Sequence, residues 1–342
     1  MSAQPMPKTE SAPAPLASLL ERHWASSRSS LPLALWRKVL LGPVEEILSR
    51  PGKAFRAHLV EAAWRLVAPD REPPAELGAV IEVLHAGSMV VDDIEDGSST
   101  RRGGPALHTL YGVPLALNAG NWMYFWPFEL LRSLALPPHT ESLLIGRTLT
   151  TLSDCHRGQA LDVGVLVGDV EQARVADVVA ETTALKTGAL MGLAGALGAG
   201  AAGASGHLLE AAERFGRRLG FALQQLDDLG NLSGHKDPDK RHEDLRNGRL
   251  GWPWAWAAES LDADAFGKLV AAAIDLRNQG GDKTAGCEWL AARLKAVAGA
   301  ERRRQIGQEV LSASRDLECV FGRTPVTAFL RNEIARLEAS YG

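Results

Sequence analysis

Apolar residues recur at intervals of three and four along most of the chain. Between Ala75 and Val91, for example, Leu77, Val80, Ile81, Leu84 and Met89 are apolar at helical spacing. A helix buries such a stripe against its neighbours. The same spacing predicts helices over 15–48, 54–68, 74–96, 114–135, 139–166, 170–200, 205–234, 250–280 and 283–340. Alternating runs bounded by turn residues, the mark of strands, are nearly absent. Breaks fall at Pro51-Gly52, Pro73-Pro74 and Pro137-Pro138, and in a polar run from Ser233 to Gly248. None has the look of a long interdomain linker, and no repeat of fixed period is present. The pattern predicts one all-α domain over residues 19–342. Before it, residues 1–18 read as a flexible tail interrupted by Pro5, Pro7, Pro13 and Pro15.

Length alone changes this little: 342 residues leave room for two domains or one large one. Apolar residues at 46% and charged residues at 23% are ordinary for a soluble globular protein. A formal net charge of -4 disfavours a general nucleic-acid binder. Any anion site must then be a local cluster of cations. Cys155, Cys287 and Cys319 lie far apart, which argues against a thiolate zinc site and fits a reducing, cytoplasmic setting. Met1 to Ser18 lacks the apolar core of a signal peptide. Gly188 to Gly206 carries no charge but is mostly Gly and Ala. It reads as a closely packed buried helix rather than a membrane span.

Candidate chemistry begins with Asp92-Asp93-Ile94-Glu95-Asp96. Asp92 and Asp96 are one helical turn apart and share a face. Like charges stacked this way repel, so helix stability does not explain them. A hard cation does, because Mg²⁺ takes carboxylate oxygens together with water and substrate phosphates. Alone, such a motif is more often a solvated helix end. A second pair, Asp227-Asp228, follows another apolar run, with Gln224 three residues earlier. Two acidic helix ends of this kind could hold one diphosphate through shared metal ions. Arg101-Arg102, Lys53 and Arg56, Lys186 before Thr187, and Lys240 and Arg249 supply cations suited to phosphate oxygens.

Together these residues form an ordered pattern that resembles the trans-polyprenyl diphosphate synthases. The first aspartate-rich region extends from Leu84-His85 through Asp96 to Arg101-Arg102-Gly103-Gly104-Pro105. It is followed by His108, Tyr111-Gly112 and Asn118-Ala119-Gly120-Asn121. Gly52-Lys53-x-x-Arg56, Gly158-Gln159-x-x-Asp162, Lys186-Thr187, Gln224-x-x-Asp227-Asp228, Lys240-x-x-x-Asp244-Leu245 and Gly248-Arg249 keep the family's order over roughly residues 45 to 260. The resemblance implies an isoprenoid synthase fold, a helical bundle around a deep cavity, and a homodimer. It implies head-to-tail condensation of isopentenyl diphosphate onto an allylic diphosphate, with three Mg²⁺ ions. By the same resemblance Asp92, Asp96 and Asp227 would bind metal, supported by Asp93 and Asp228. Arg101, Lys186 and Lys240 would hold the allylic diphosphate. Lys53, Arg56, His85 and Arg102 would hold isopentenyl diphosphate, and Arg249 keeps the charge of the usual lysine. Thr187 and Gln224 would line the reacting carbons.

Several positions depart from the family pattern. Asn231 stands where the second motif usually ends in Asp, and an aspartate restored there is expected to raise turnover or leave it unchanged. Gly251-Trp252 replaces Thr-Leu, and Leu223 replaces Phe. Gly87 and Ser88 are small where a large aromatic would block a growing chain, which favours a product of twenty carbons over fifteen. Trp122, Tyr124, Phe125 and Trp126 supply either a floor for that product or simple core packing. A class I terpene cyclase on the same scaffold, or a non-catalytic partner subunit, are the alternative readings. Gly198 to Gly203 spells GxGxxG without a preceding strand, so a dinucleotide site is not expected there. Trp252, Trp254 and Trp256 fit either a site mouth or the core.

Overall fold

The computed structural model describes residues 16–25, 29–52, 54–233 and 241–340. Lys53, Lys240 and residues 1–15 of the expected tail lie outside the described residues. The chain divides into two compact units. The first comprises Met1–Thr148, Ala194–Ala212 and Phe321–Phe329; the second comprises Leu149–Leu193, Glu213–Val320 and Leu330–Gly342.

The first unit opens with α1 (Leu16–Ala25), α2 (Leu33–Trp36), a π-helical stretch (Arg37–Leu41) and α3 (Gly42–Ser49). Then come α4 (Phe55–Val67), α5 (Leu77–Asp96), a hairpin of β1 (Thr100–Arg101) and β2 (Gly104–Pro105), α6 (Leu107–Tyr111) and α7 (Val113–Ser133). Helix α5 follows the break at Pro73-Pro74 and ends at Gly97, whose left-handed φ of 66° lets Ser98 N–H reach the Asp93 carbonyl at 2.9 Å. Its apolar stripe is buried, Leu77, Val80, Ile81, Val83 and Leu84 being at most 1% exposed. Helices α5 and α7 cross where Gly87 meets Gly120. A Cβ on Gly87 would stand 2.9 Å from both the Gly120 carbonyl oxygen and the Met123 Cβ. Gly87 is therefore small because α7 lies against it.

Helix α8 (Pro138–Gly164) runs from the first unit into the second, and α9 (Gln172–Thr183) leads through a π-helical turn (Ala184–Gly188) to α10 (Ala189–Ala201). Every residue of α10 is buried, as its Gly and Ala content predicts. In the first unit its C-terminal half joins a small-residue core of Ala63, Ala196, Ala199, Ala204, Leu209 and Ala212. The GxGxxG letters begin in the last turn of this helix and run past its end, and Gly198 lies directly against the backbone of α4. Helix α11 (Gly206–Ser233) follows, then α12 (Glu243–Asn247), α13 (Trp252–Ser260), α14 (Ala263–Asn278), α15 (Thr284–Phe321) and α16 (Pro325–Ser340).

The three tryptophans of α13 are all buried, with Trp252 edge-on to Phe221 and Trp254 edge-on to Phe266, so they are core. The helical stretch expected over 250–280 breaks at Leu261-Asp262, where the Asp262 carboxylate accepts the Ala265 N–H at 2.8 Å and starts α14. The stretch over 283–340 breaks at Gly322, and Gly299 interrupts α15 with φ 51°. Among the described residues no helix is long and apolar enough to cross a membrane.

Candidate active site

In the first unit the acidic cluster fills the last turn of α5. Negative charge there opposes the helix dipole as well as itself, so the local physics penalises it twice. Asp92 and Asp96 lie half-exposed on one face, whereas the Asp93 side chain is only 2% exposed. Arg101 explains the difference. Its Nε donates to both Asp93 carboxylate oxygens at 2.9 Å, its Nη2 donates to Oδ1, and Asp92 stands 3.7 Å away. Asp93 is thus an anchor for Arg101, which leaves Asp92 and Asp96 as the carboxylates on the accessible face.

The hairpin delivers these arginines. Arg101 pairs with Gly104 across a two-residue turn whose central residues, Arg102 and Gly103, have φ of 51° and 76°. Hairpins favour such turns, but a left-handed arginine is strained by roughly 1 kcal/mol. The Arg102 guanidinium lies over Gly52, where a Cβ would come within 3.1 Å of it. His85, on α5, is held well below the ordinary imidazole value by burial first and then by Arg56, Arg102 and Arg101. Burial also lowers Arg102, with Glu82 opposing and Arg101, Arg56 and Arg50 adding to it. Three guanidinium groups, those of Arg56, Arg101 and Arg102, therefore gather beside a neutral imidazole, with Arg50 close to Arg102. Such crowding of like charge points to an anion.

Arg50 was not singled out from the sequence. Its buried guanidinium pairs with Glu46 at 2.9 Å and donates to the Arg101 carbonyl at 2.8 Å, bracing the hairpin from behind. The helical spacing of Glu46 and Arg50 was the available signal. Glu82 was missed as well: it accepts the Ala57 N–H at 3.2 Å and so helps start α4, which carries Arg56.

The second unit holds the other expected residues. Lys186 and Thr187 occupy the π-helical turn, a geometry that recurs at functional sites. Lys186 Nζ donates to Asp162 Oδ2 at 2.6 Å, and Gly158 permits α8 to approach this turn, a Cβ there falling 2.8 Å from Lys186 N. Thr187 Oγ1 donates to Gln224 Oε1 at 2.8 Å, and Gln224 Nε2 donates to Asp228 Oδ1 at 2.8 Å. Asp228 Oδ2 accepts the Trp252 N–H at 2.8 Å. Burial pushes the Asp228 carboxyl up to about 6, against the two hydrogen bonds that favour its charge. Asp228 thus orients Gln224, while Asp227 is half-exposed beside it. Arg249 Nη1 donates to the Asp162 carbonyl at 2.8 Å, gathering it toward Lys186 and the end of α8. Trp252 Nε1 donates to Thr183 Oγ1 at 3.0 Å, so the departure at 252 is absorbed by its own partner.

The carboxylates of each unit have the chemistry that suits Mg²⁺. Asp92, Asp96 and Asp227 offer hard oxygens at partly exposed helix positions. Among the described residues no three His, Cys, Asp or Glu side chains close a cage. Mg²⁺ does not require one, since it keeps waters and takes substrate oxygens.

A sequence profile described as polyprenyl synthetase matches residues 37–302. A geranylgeranyl pyrophosphate synthase of Neocamarosporium betae is 32% identical over 235 residues, which is 68% of this chain, and the match spans only 62% of that relative. The crystal structure of a decaprenyl diphosphate synthase from Rhodobacter capsulatus superposes with a TM-score of 0.79 at 21% identity, over 96% of this chain and 95% of that one. A geranylgeranyl pyrophosphate synthase from Corynebacterium glutamicum, solved with isoprenyl diphosphate and magnesium, superposes with a TM-score of 0.75 at 20% identity, over 95% and 94%. These structural likenesses establish the all-α isoprenoid synthase fold. With the family profile covering most of its length, the chain belongs to the polyprenyl synthetase family.

Proposed function

We propose that this chain is a chain-elongating prenyltransferase. It condenses isopentenyl diphosphate head-to-tail with an allylic diphosphate and makes a trans-prenyl diphosphate of about twenty carbons, the length that the small Ser88 ahead of Asp92 favours. The observation that carries the reading is the cluster of Arg56, Arg102 and neutral His85, set on elements separate from the turn that carries Lys186. An enzyme that only ionised one allylic diphosphate would need no second anion cluster of this kind.

In this reading Asp92, Asp96 and Asp227 hold Mg²⁺, three ions in all, and the magnesium in the Corynebacterium protein supports the choice of metal. Bound Mg²⁺ would neutralise the diphosphate as the allylic C–O bond breaks. Lys186, Arg101 and Lys240 orient the allylic diphosphate. Arg56, Arg102 and Lys53 hold isopentenyl diphosphate, and His85 donates to it as a neutral imidazole. The hydrogen-bonded Thr187 and Gln224 turn oxygen dipoles toward the developing allylic cation. Its attack by the isopentenyl double bond leaves one proton to lose. Released diphosphate takes it, since Asp93, Asp162 and Asp228 are occupied with Arg101, Lys186 and Gln224. Residues 19–342 act as one catalytic domain, and the protein works as a homodimer in the cytoplasm. Exposed Leu110, Val113, Leu117 and Phe125 on α6 and α7 support the dimer, and three cysteines that form no disulfide support the compartment.

Incubation with Mg²⁺, labelled isopentenyl diphosphate and each of three allylic primers tests the reading. Label is expected in a phosphatase-released alcohol. No label with any primer, or a cyclised hydrocarbon from the allylic diphosphate alone, sinks it. Product length has its own test. Ser88 is half-buried and donates to the His85 carbonyl at 2.9 Å. Ser88→Phe is expected to shorten the main product by about one five-carbon unit. An unchanged product would remove Ser88 from the length determinants.

A further inference from the structure

Asn231 lies in the last turn of α11, three residues beyond Asp228. Its Nδ2 donates to Asp244 Oδ2 at 2.7 Å. A carboxylate only accepts, so the amide must face it in this sense. Asp244 belongs to α12, a helix of five residues and too short to persist by itself. Its entry is also strained, because His242 precedes it in a left-handed conformation at φ 62°, is buried, and gives the helix no side-chain cap. Beneath this joint lies a cavity with about 30 Å³ of room for water, lined in part by Asp228, Asn231, His242, Asp244 and Trp254. The Nε2 of His242 and the Nε1 of Trp254 are buried with no hydrogen-bond partner among the described residues.

Unsatisfied buried nitrogens and a left-handed histidine all oppose the closed arrangement. Side-chain bonds from the start of α12 to α11 oppose its opening. Among the described residues one runs from His242 to the Leu232 backbone and another from Asn231 to Asp244. The second sits directly beside the chain of bonds from Asp228 through Gln224 to Thr187.

We propose that Asn231 is a positioning residue. It holds Asp244, and with it α12 and the cavity wall beside Asp228, without help from a divalent ion. An aspartate at 231 would set two carboxylates at hydrogen-bond distance. Only a shared proton or a bridging cation reconciles such a pair. The bond argues against the expectation that an aspartate at 231 raises turnover or leaves it unchanged. The role of the ion rests on the Mg²⁺ reading above; the bond itself does not.

Hydrogen exchange of the amides over 243–247 tests this on the full chain without substrates. Asn231→Ala is expected to speed exchange about tenfold, with or without millimolar MgCl₂, as loss of one bond to a charged group implies. Asn231→Asp should do the same in EDTA and return toward the parent rate in MgCl₂. The double variant Asn231→Asp with Asp244→Asn swaps donor and acceptor, and it should restore slow exchange in EDTA. Unchanged exchange in Asn231→Ala, or Mg²⁺-independent exchange in Asn231→Asp, overturns the proposal. So does failure of the swap to rescue. Product formation by the parent chain is measured separately, so a failure of the prenyltransferase reading is seen there and not in the exchange rates.

Discussion

Replacing Asp92 with Ala is expected to lower kcat by about three orders of magnitude, the scale of losing a metal ligand that neutralises a leaving group. The structure makes this a clean test, because Asp92 contributes little to holding the fold. Its side chain is 25% exposed, and its ion pair with Arg101 spans 3.7 Å. It sits at the C-terminal end of α5 among like charges, so removing it relieves repulsion. Thermal stability should stay level or rise slightly. Asp93→Asn should behave in the opposite way. Asp93 is buried and receives Arg101 through Nε and Nη2, so the variant leaves a part-buried guanidinium short of its counter-charge. Its melting temperature should fall while Mg²⁺ dependence persists. Turnover and thermal melts on the two variants decide the matter. An Asp92→Ala protein within tenfold of the parent would remove Asp92 from the ligand set.

That division of labour between adjacent aspartates marks where the sequence ceased to be legible. Helical spacing is local, so α5, α7, α10 and α11 could be read from apolar periodicity. So could the placement of both acidic clusters near helix ends. Which carboxylate turns inward depends on a hairpin that folds back from residues 100–105, and no periodicity signals four strand residues. Its turn uses a left-handed Arg102 where Asn or Gly would have announced it. Arg50 offered only its four-residue spacing from Glu46, because its other partner is a carbonyl 51 positions away in the chain. The smallness of Gly87 was visible and read as room for a growing chain, and only the crossing with Gly120 shows the helix contact behind it. Helix α12 lay hidden in a polar run because five residues carry no period to detect. Trp252, Trp254 and Trp256 looked equally suited to a site mouth or a core until their burial was known.

Gly198→Ala is expected to destabilise the protein by about 2–4 kcal/mol and to lower its melting temperature by roughly 5–10 °C, with Gly198→Val failing to fold. Intrinsic propensity predicts the reverse, since Ala favours a helix interior over Gly by about 1 kcal/mol. Steric contact decides the sign. A Cβ on Gly198 would fall 2.0 Å from the Val60 carbonyl oxygen, 2.9 Å from the Ala63 Cβ and 2.9 Å from the Trp64 backbone nitrogen. Two of these three are backbone atoms of α4, which cannot rotate aside, so the helices must separate. Separation would open the packing around Ala63, Ala196 and Ala199, none of them more than 2% exposed. Gly146 is the control. It is exposed on α8, and nothing stands within 4 Å of the position its Cβ would take. Gly146→Ala should therefore gain about 0.5–1 kcal/mol from propensity alone. Calorimetric melts of the two variants should shift in opposite directions. Equal shifts would mean that α10 and α4 yield at their crossing, and that the run of small residues from Gly188 to Gly206 serves something other than close approach.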